Sequence, residues 1–350
     1  MSTNIHIPAQ NATATATIQT FLLIQTAFIG DVILATALIE KLRATYPTAC
    51  IDFLVRKGNE GLLQGHPHLN EVLIWDKKQG KYQSLWRLLK YIRQQRYDYV
   101  INLQRFATTG WLTAFSRANT TIGFDKNPFS FLFTQRIPHQ IEEGMHEVQR
   151  NLGLLRSIAG EEWVRPKLYP SLADYSNVRL YQTQPYVCIA PTSVWFTKQF
   201  PEHQWVKLIR SIPNNYLVYL LGSPQDVEAC QRIMEEAGRT GVIILAGKLS
   251  LLASAALMQG AVLNYVNDSA PMHLCSALNA PTCAVYCSTV PAFGFGPLAD
   301  FSRIIEVNHP LSCRPCGLHG YRACPEKHFK CANDIETKAL VEVLHAASRH

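Results

Sequence analysis

The chain has 350 residues, 47% hydrophobic and 17% charged. That length exceeds one average domain, and the composition can bury large cores, so a disordered chain is excluded. The net charge of +7, from 33 Lys and Arg against 26 Asp and Glu, suits an anionic ligand or membrane surface and is too diffuse to argue for nucleic acid. The most apolar stretch, residues 21–38, is interrupted by Gln25, Gly30 and Asp31, so no membrane-spanning helix is expected. Residues 1–20 lack a basic start and are rich in Thr, Ala and Asn, which fits a flexible tail better than a signal peptide. A cytoplasmic setting follows, in which the ten cysteines are thiols or metal ligands before they are disulfides.

From residue 21 the pattern predicts a strand over 21–25, a helix over 31–46 ended by Pro47, and strands over 51–55, 72–75 and 99–103. Leu85, Leu88, Leu89 and Ile92 fall at helical spacing between the last two strands. The alternation fades across 125–182, where prolines accumulate, and then restarts. Strands are expected at 186–190, 216–221, 242–245, 261–265 and 282–286, with helices at 202–211, from Pro224, and at 269–278. A last helix is expected over 333–350, with Asn333 as N-cap and Glu336 completing a capping box. This predicts an α/β chain of two doubly wound, Rossmann-like units facing across a cleft. The expected divisions are a tail at 1–20, a first unit at 21–178, a second at 179–332 and a C-terminal helix at 333–350.

Ligands of such units sit outside the carboxyl ends of the strands. The loop after the first strand has one glycine where a dinucleotide fingerprint needs three, and no phosphate-binding P-loop occurs. What stands there is Gly30-Asp31 at a helix start. Asp31 is either an N-cap or a carboxylate at the mouth of the cleft, kept ionised by the helix N-terminus as a general base requires. In the second unit Thr192, Ser193 and Lys198 follow a strand, a set that suits a diphosphate. Asp268 and Ser269 open a helix in a stretch without Lys or Arg, where free N–H groups favour an anion. His273, one turn in, is a core histidine or a ligand contact.

In this order the segments 24–34, 51–56, 97–104 and Asn267-Asp268-Ser269…Met272-His273-Leu274 resemble the ADP-heptose:lipopolysaccharide heptosyltransferases, glycosyltransferase family nine, over about 21–335. The resemblance implies a GT-B fold and an inverting, metal-independent transfer of a heptose from a nucleotide donor to a lipopolysaccharide core acceptor. It places the catalytic aspartate on Asp31, the phosphate contacts on Thr192, Ser193 and Lys198, and the donor-sugar aspartate on Asp268. It asks for an acidic ribose contact, for which Asp226 and Glu228 are candidates. Ala270, Asn102 and the glycine-free segment 287–291 depart from the family pattern and bear on donor and acceptor identity. No Asp-x-Asp occurs, in keeping with Lys198 in place of a catalytic metal.

Between Asp76 and Asp98 lie Lys77, Lys78, Lys81, Arg87, Lys90, Arg93 and Arg96, with no acid. They form a solvated helix face or an attraction to anionic membrane or a phosphorylated, lipid-linked acceptor. The latter implies peripheral attachment to the inner face of the inner membrane. Cys313, Cys316, Cys324 and Cys331 are spaced like a structural zinc site, with buried thiols or a disulfide as alternatives. Two further readings compete with the heptosyltransferase: a family transferase using another nucleotide sugar, and a non-catalytic, zinc-stabilised binding protein on the same fold.

Overall fold

The computed structural model describes residues 19–77, 80–140 and 144–349. The expected tail up to residue 18, Lys78 and His350 lie outside these residues, and the Lys81 side chain is likewise outside the description.

The first half builds six strands, β1 (Thr20–Ile24), β2 (Cys50–Arg56), β3 (Glu71–Trp75), β4 (Tyr99–Asn102), β5 (Thr120–Phe124) and β6 (Gln135–Ile137). They pair in parallel in the order β3-β2-β1-β4-β5-β6. Its helices are α1 (Ile29–Thr45), α2 (Lys81–Gln95), α3 (Ala107–Ala114), α4 (Glu147–Leu152), the single turn α5 (Arg156–Ala159) and α6 (Leu172–Val178). The second half repeats the plan with β7 (Tyr186–Ala190), β8 (Leu217–Leu220), β9 (Val242–Ile244), β10 (Leu263–Asn267), β11 (Thr282–Tyr286) and β12 (Ser302–Glu306), ordered β12-β11-β10-β7-β8-β9. Its helices are α7 (Glu202–Ser211), α8 (Val227–Ala237), α9 (Leu251–Gln259), α10 (Ala270–Leu278), the turn α11 (Lys330–Asn333) and α12 (Thr337–Ala347). Strands covered on both faces read as unbroken apolar runs, and Phe21, Leu22, Leu23 and Ile24 are all fully buried. Each half therefore has the doubly wound order expected, with its switch point between β1 and β4 or between β7 and β10.

Three expectations are corrected. Asp31 is not the N-cap of α1. Phe28 holds that position, and Asp31, one turn in, accepts the Phe28 N–H through Oδ2 at 3.1 Å. The fourth strand of the second half lies two residues later than expected, ending on Asn267. The final helix starts at Thr337, with Glu336 at the N-cap position, so the capping box on Asn333 does not form. The Asn333 and Ile335 carbonyls instead accept Gln204 Nε2 from α7, at 2.7 and 3.4 Å, which holds the chain out of helix there.

The halves meet along one seam. A Cβ at Gly30 would lie 2.8 Å from His273 Cδ2, so the start of α1 seats on the start of α10 only because residue 30 has no side chain. On the flank, the Glu147 N–H donates to Gly294 O at 2.7 Å and the buried Arg150 guanidinium reaches Phe293 O at 3.2 Å.

Candidate active site

Asp31 stands half-buried at the start of α1, at the carboxyl edge of the first sheet. Burial raises its pKa above the ordinary carboxylate value, against the Phe28 N–H and the nearby His319 and Arg56, which pull it down. The helix end alone therefore does not fix its charge. The result is a carboxylate that is more basic than a free one.

Across the seam, Lys198 Nζ pairs with Asp268 Oδ2 at 2.6 Å, and both side chains are largely buried. Thr289 Oγ1 donates to the same carboxylate oxygen at 2.7 Å. The two residues assigned to diphosphate and sugar thus hold each other. Asp268 follows β10, whose last residue, Asn267, is fully buried. Asn267 Nδ2 donates to Pro191 O at 2.9 Å and lies within reach of the Ala190 and Thr192 carbonyls, while its Oδ1 accepts the Phe200 N–H at 2.9 Å. One amide thereby fixes the loop carrying Thr192, Ser193 and Lys198. The Thr192 and Ser193 side chains are half-exposed, and their hydroxyls have no partner among the described residues.

His273 lies between the two groups. It is 5% exposed, touches Gly30, and feels the charge of Lys198. Burial first, then His146 and Lys198, lower its pKa to about 3, so the ring is neutral. Its Nδ1 is buried without a partner, an expensive state for a polar atom unless a ligand meets it. Ser269 occupies the N-cap of α10 with its hydroxyl 3.4 Å from Asn267 O. The structure thus joins Lys198 to Asp268, packs His273 against Gly30, the residue before Asp31, and sets Thr192 and Ser193 on the loop that Asn267 anchors, with Ser269 one turn before His273. It does not add Asp226 to these: one oxygen of Asp226 accepts both the Ser223 N–H at 2.7 Å and the Ser223 hydroxyl at 2.6 Å. Glu228 is exposed and makes no hydrogen bond among the described residues.

Sequence reasoning named Asn267 only within the family segment and Thr289 only within 287–291, gave neither a role at this site, and did not single out Thr197 or the cluster of His146, Glu147 and Arg150. The half-buried Glu147 carboxyl is raised by desolvation and by the nearby charge of Asp31, and lowered by Arg150. Thr197 Oγ1 accepts the Tyr321 N–H at 2.7 Å and the Ser288 hydroxyl at 3.0 Å. Gly320 is flush against this junction, because a Cβ there would lie 2.8 Å from Thr197 Oγ1. Cys316 N–H donates to Ser288 O at 2.8 Å, and Arg314 Nε donates to Cys287 O at 2.8 Å. The cysteine-bearing segment is therefore stitched onto the back of the donor-side loops. Among the described residues no three metal-ligating side chains already converge on a metal position. Cys313 Sγ lies 4.0 Å from His328 Nε2, and the buried Cys331, pushed up to about 12 by burial, also feels Cys316, Cys324 and Cys313.

Two Rossmann-like lobes, each a six-stranded parallel sheet in doubly wound order, meeting along one seam define the GT-B fold class. The model of glycosyltransferase family 9 (heptosyltransferase) matches residues 85–322, and the chain belongs to that family. It is 27% identical over 288 residues to lipopolysaccharide heptosyltransferase 3 of Escherichia coli, covering 75% of this chain and 82% of that one. It is 26% identical over 315 residues to lipopolysaccharide heptosyltransferase 1 of Pseudomonas aeruginosa, covering 84% and 85%. Among solved structures, E. coli ADP-heptose lipopolysaccharide heptosyltransferase II matches with a TM-score of 0.78 at 23% identity, covering 94% of this chain and 98% of that one. The family 9 glycosyltransferase of Veillonella parvula matches at 0.81 and 20% identity, covering 96% and 99%.

Proposed function

We propose that this enzyme transfers a heptose from a nucleotide-diphosphate donor such as ADP-heptose to a lipopolysaccharide core acceptor, with inversion and without a catalytic metal. The observation that carries the reading is the placement of Asp31 across the seam from Lys198 and Asp268, with a neutral, half-unsatisfied His273 between them. Asp31 takes the proton of the acceptor hydroxyl as its oxygen attacks the anomeric carbon from the face opposite the leaving group. The bond to the nucleoside diphosphate breaks, and the departing phosphate gains charge. Lys198, the hydroxyls of Thr192 and Ser193 and the N-terminal end of α10 at Ser269 are the groups that meet it, a preorganised electrostatic contribution of the kind that dominates many transfers. Because Asp268 already neutralises Lys198, donor binding shares or displaces that ion pair, and Asp268 turns to the sugar hydroxyls. His273 Nδ1 offers one further contact. Of the two acids nominated for the ribose, Asp226 is occupied by Ser223, whereas the Glu228 carboxylate makes no hydrogen bond among the described residues.

The names of the curated relatives support heptose and lipopolysaccharide as the substrate classes. No helix among the described residues is long and apolar enough to cross a membrane, and the assigned working place is the cytoplasmic face of the inner membrane. A zinc ion held by Cys313, Cys316, Cys324 and Cys331 is assigned a structural role, clamping the segment that backs Thr197 and Ser288. Metal analysis of the purified chain tests it, with one zinc per chain expected and a metal-free, fully folded chain against it. The donor is tested by thermal shift, since only a ligand of the native state raises the melting point. ADP is expected to stabilise more than UDP, GDP or NAD, and the sugar product to carry the inverted anomer. Stabilisation by UDP alone would replace the donor.

A further inference from the structure

A second cavity, of about 970 Å³, lies away from the seam, along α2 and against the turn that leads into β5. Arg87, Lys90, Arg93, Arg96 and Arg117 line it together with Trp86, and no acid does. Among the described residues Arg87, Lys90, Arg96 and Arg117 have no hydrogen-bonded or ion-paired partner, and Arg93 donates to Phe115 O at 2.8 Å. Asp98 accepts from Asn119, which lines the cavity, at 2.9 Å, and Glu71 accepts from the Tyr91 hydroxyl, so neither pairs with these cations. Four uncompensated cations around one concavity repel each other and call for an anion.

The rim supplies a second, independent observation. Trp86 is 59% exposed and stands edge-on to Trp111, ring centres 5.0 Å apart; Trp111 in turn touches Phe115, which is 39% exposed. Large aromatics left in water beside clustered Lys and Arg are what a bilayer interface accepts, ring in the headgroup layer and cations on the phosphates. The other face of α2 is buried through Leu85, Leu89 and Ile92, so the outer face is fixed. The helix runs 15 residues, about 22 Å at 1.5 Å per residue. Another cavity, near the start of α1, is lined by Ile29, Arg56, Lys57, Trp75, Asp76 and Lys77, and there Lys57 pairs with Asp76 at 2.8 Å. The uncompensated cations are thus concentrated along α2 and at Arg117.

We infer that α2 and Arg117 form a docking face for an anionic bilayer, with lipid phosphates entering the basic cavity and Trp86, Trp111 and Phe115 seated in the interface. This rests on the lipid-linked acceptor proposed above and states how such an acceptor is met: the chain lies on the membrane through the outer face of α2. Four unpaired cations spread along α2 and Arg117, with exposed aromatics at their rim, fit a surface rather than a single small anion.

Flotation of the full chain with vesicles tests it. Binding is expected to phosphatidylcholine mixed with phosphatidylglycerol, not to phosphatidylcholine alone, and to fall as salt rises. The triple variant Arg87→Glu, Lys90→Glu, Arg117→Glu should lose roughly a hundredfold in binding, and Trp86→Ala several-fold. Both should keep the parent melting point and the parent rate on a delipidated, soluble glycan acceptor. Equal binding to neutral vesicles, or undiminished binding by the triple variant, overturns the docking face. So does a parent chain that ignores vesicles while a soluble phosphorylated glycan binds and the triple variant abolishes it, which would make the cavity part of the acceptor site. Vesicle binding that follows the predicted pattern in a chain inactive on soluble acceptor upholds the docking face and removes the transferase reading instead.

Discussion

Breaking a buried ion pair leaves a charge without water or partner, and Lys198 and Asp268 form such a pair at 2.6 Å. Lys198→Ala should therefore cost about 3 kcal/mol of stability and weaken ADP binding by at least tenfold. Urea unfolding and calorimetric titration with ADP check both, and unchanged ADP affinity would count against the lysine as a phosphate group. Residue types in chain order were enough to nominate these two and Asp31, because a carboxylate at a strand end or helix start in an apolar stretch is conspicuous. Asn267 was not recognised as the anchor of the 191–200 loop, since its partners are backbone carbonyls far away in sequence. Thr289 and the Glu147–Arg150 pair were hidden for the same reason: only the fold brings them beside Asp268 and Asp31.

At the scale of elements, the seam depends on two glycines. Gly294 has φ +91°, a left-handed region that other residues adopt only under strain, and a Cβ there would collide with the Met145 carbonyl. Gly294→Ala should lower stability by about 2 kcal/mol or more, read as a fall in melting point, together with a loss of transfer rate, while ADP affinity changes little. A variant with parent stability and rate would show that the α4 flank does not position the lobes. The strands with long apolar runs, β1, β2, β7 and β11, are legible from composition, and α7 from its amphipathic period. The pattern conceals β6 because it has three residues at a sheet edge, and β12 because three of its five residues face solvent. It conceals α9 because LLASAALMQ is apolar nearly all round and has no period to detect. The misplaced start of α12 came from treating a local capping signal as decisive where Gln204 of α7 competes for the same backbone.

For the molecule as a whole, three histidines, His66 and His273 buried and His146 half-buried, set the response to acid. Burial lowers His273 to about 3 and His66 and His146 to about 4, from an ordinary 6.5. Between those values the unfolded chain binds protons that the native one refuses, so stability is full above pH 6.5 and is lost as pH falls toward 4. The slope is up to about 1.4 kcal/mol per pH unit for each histidine. Asp31 and Glu147, whose carboxyls are raised, act in the opposite sense as they protonate in the native state. Unfolding free energy should drop between pH 7 and pH 5, and His273→Gln should flatten the curve; a pH-independent stability would contradict the burial of these rings. The central claim, that a base on one lobe serves a donor held by the other, is tested most directly by Asp31→Asn. Its turnover with ADP-heptose and acceptor should fall by about 10²–10⁴ while its ADP affinity equals that of the parent. Normal turnover, or loss of ADP binding in step with loss of rate, would contradict it.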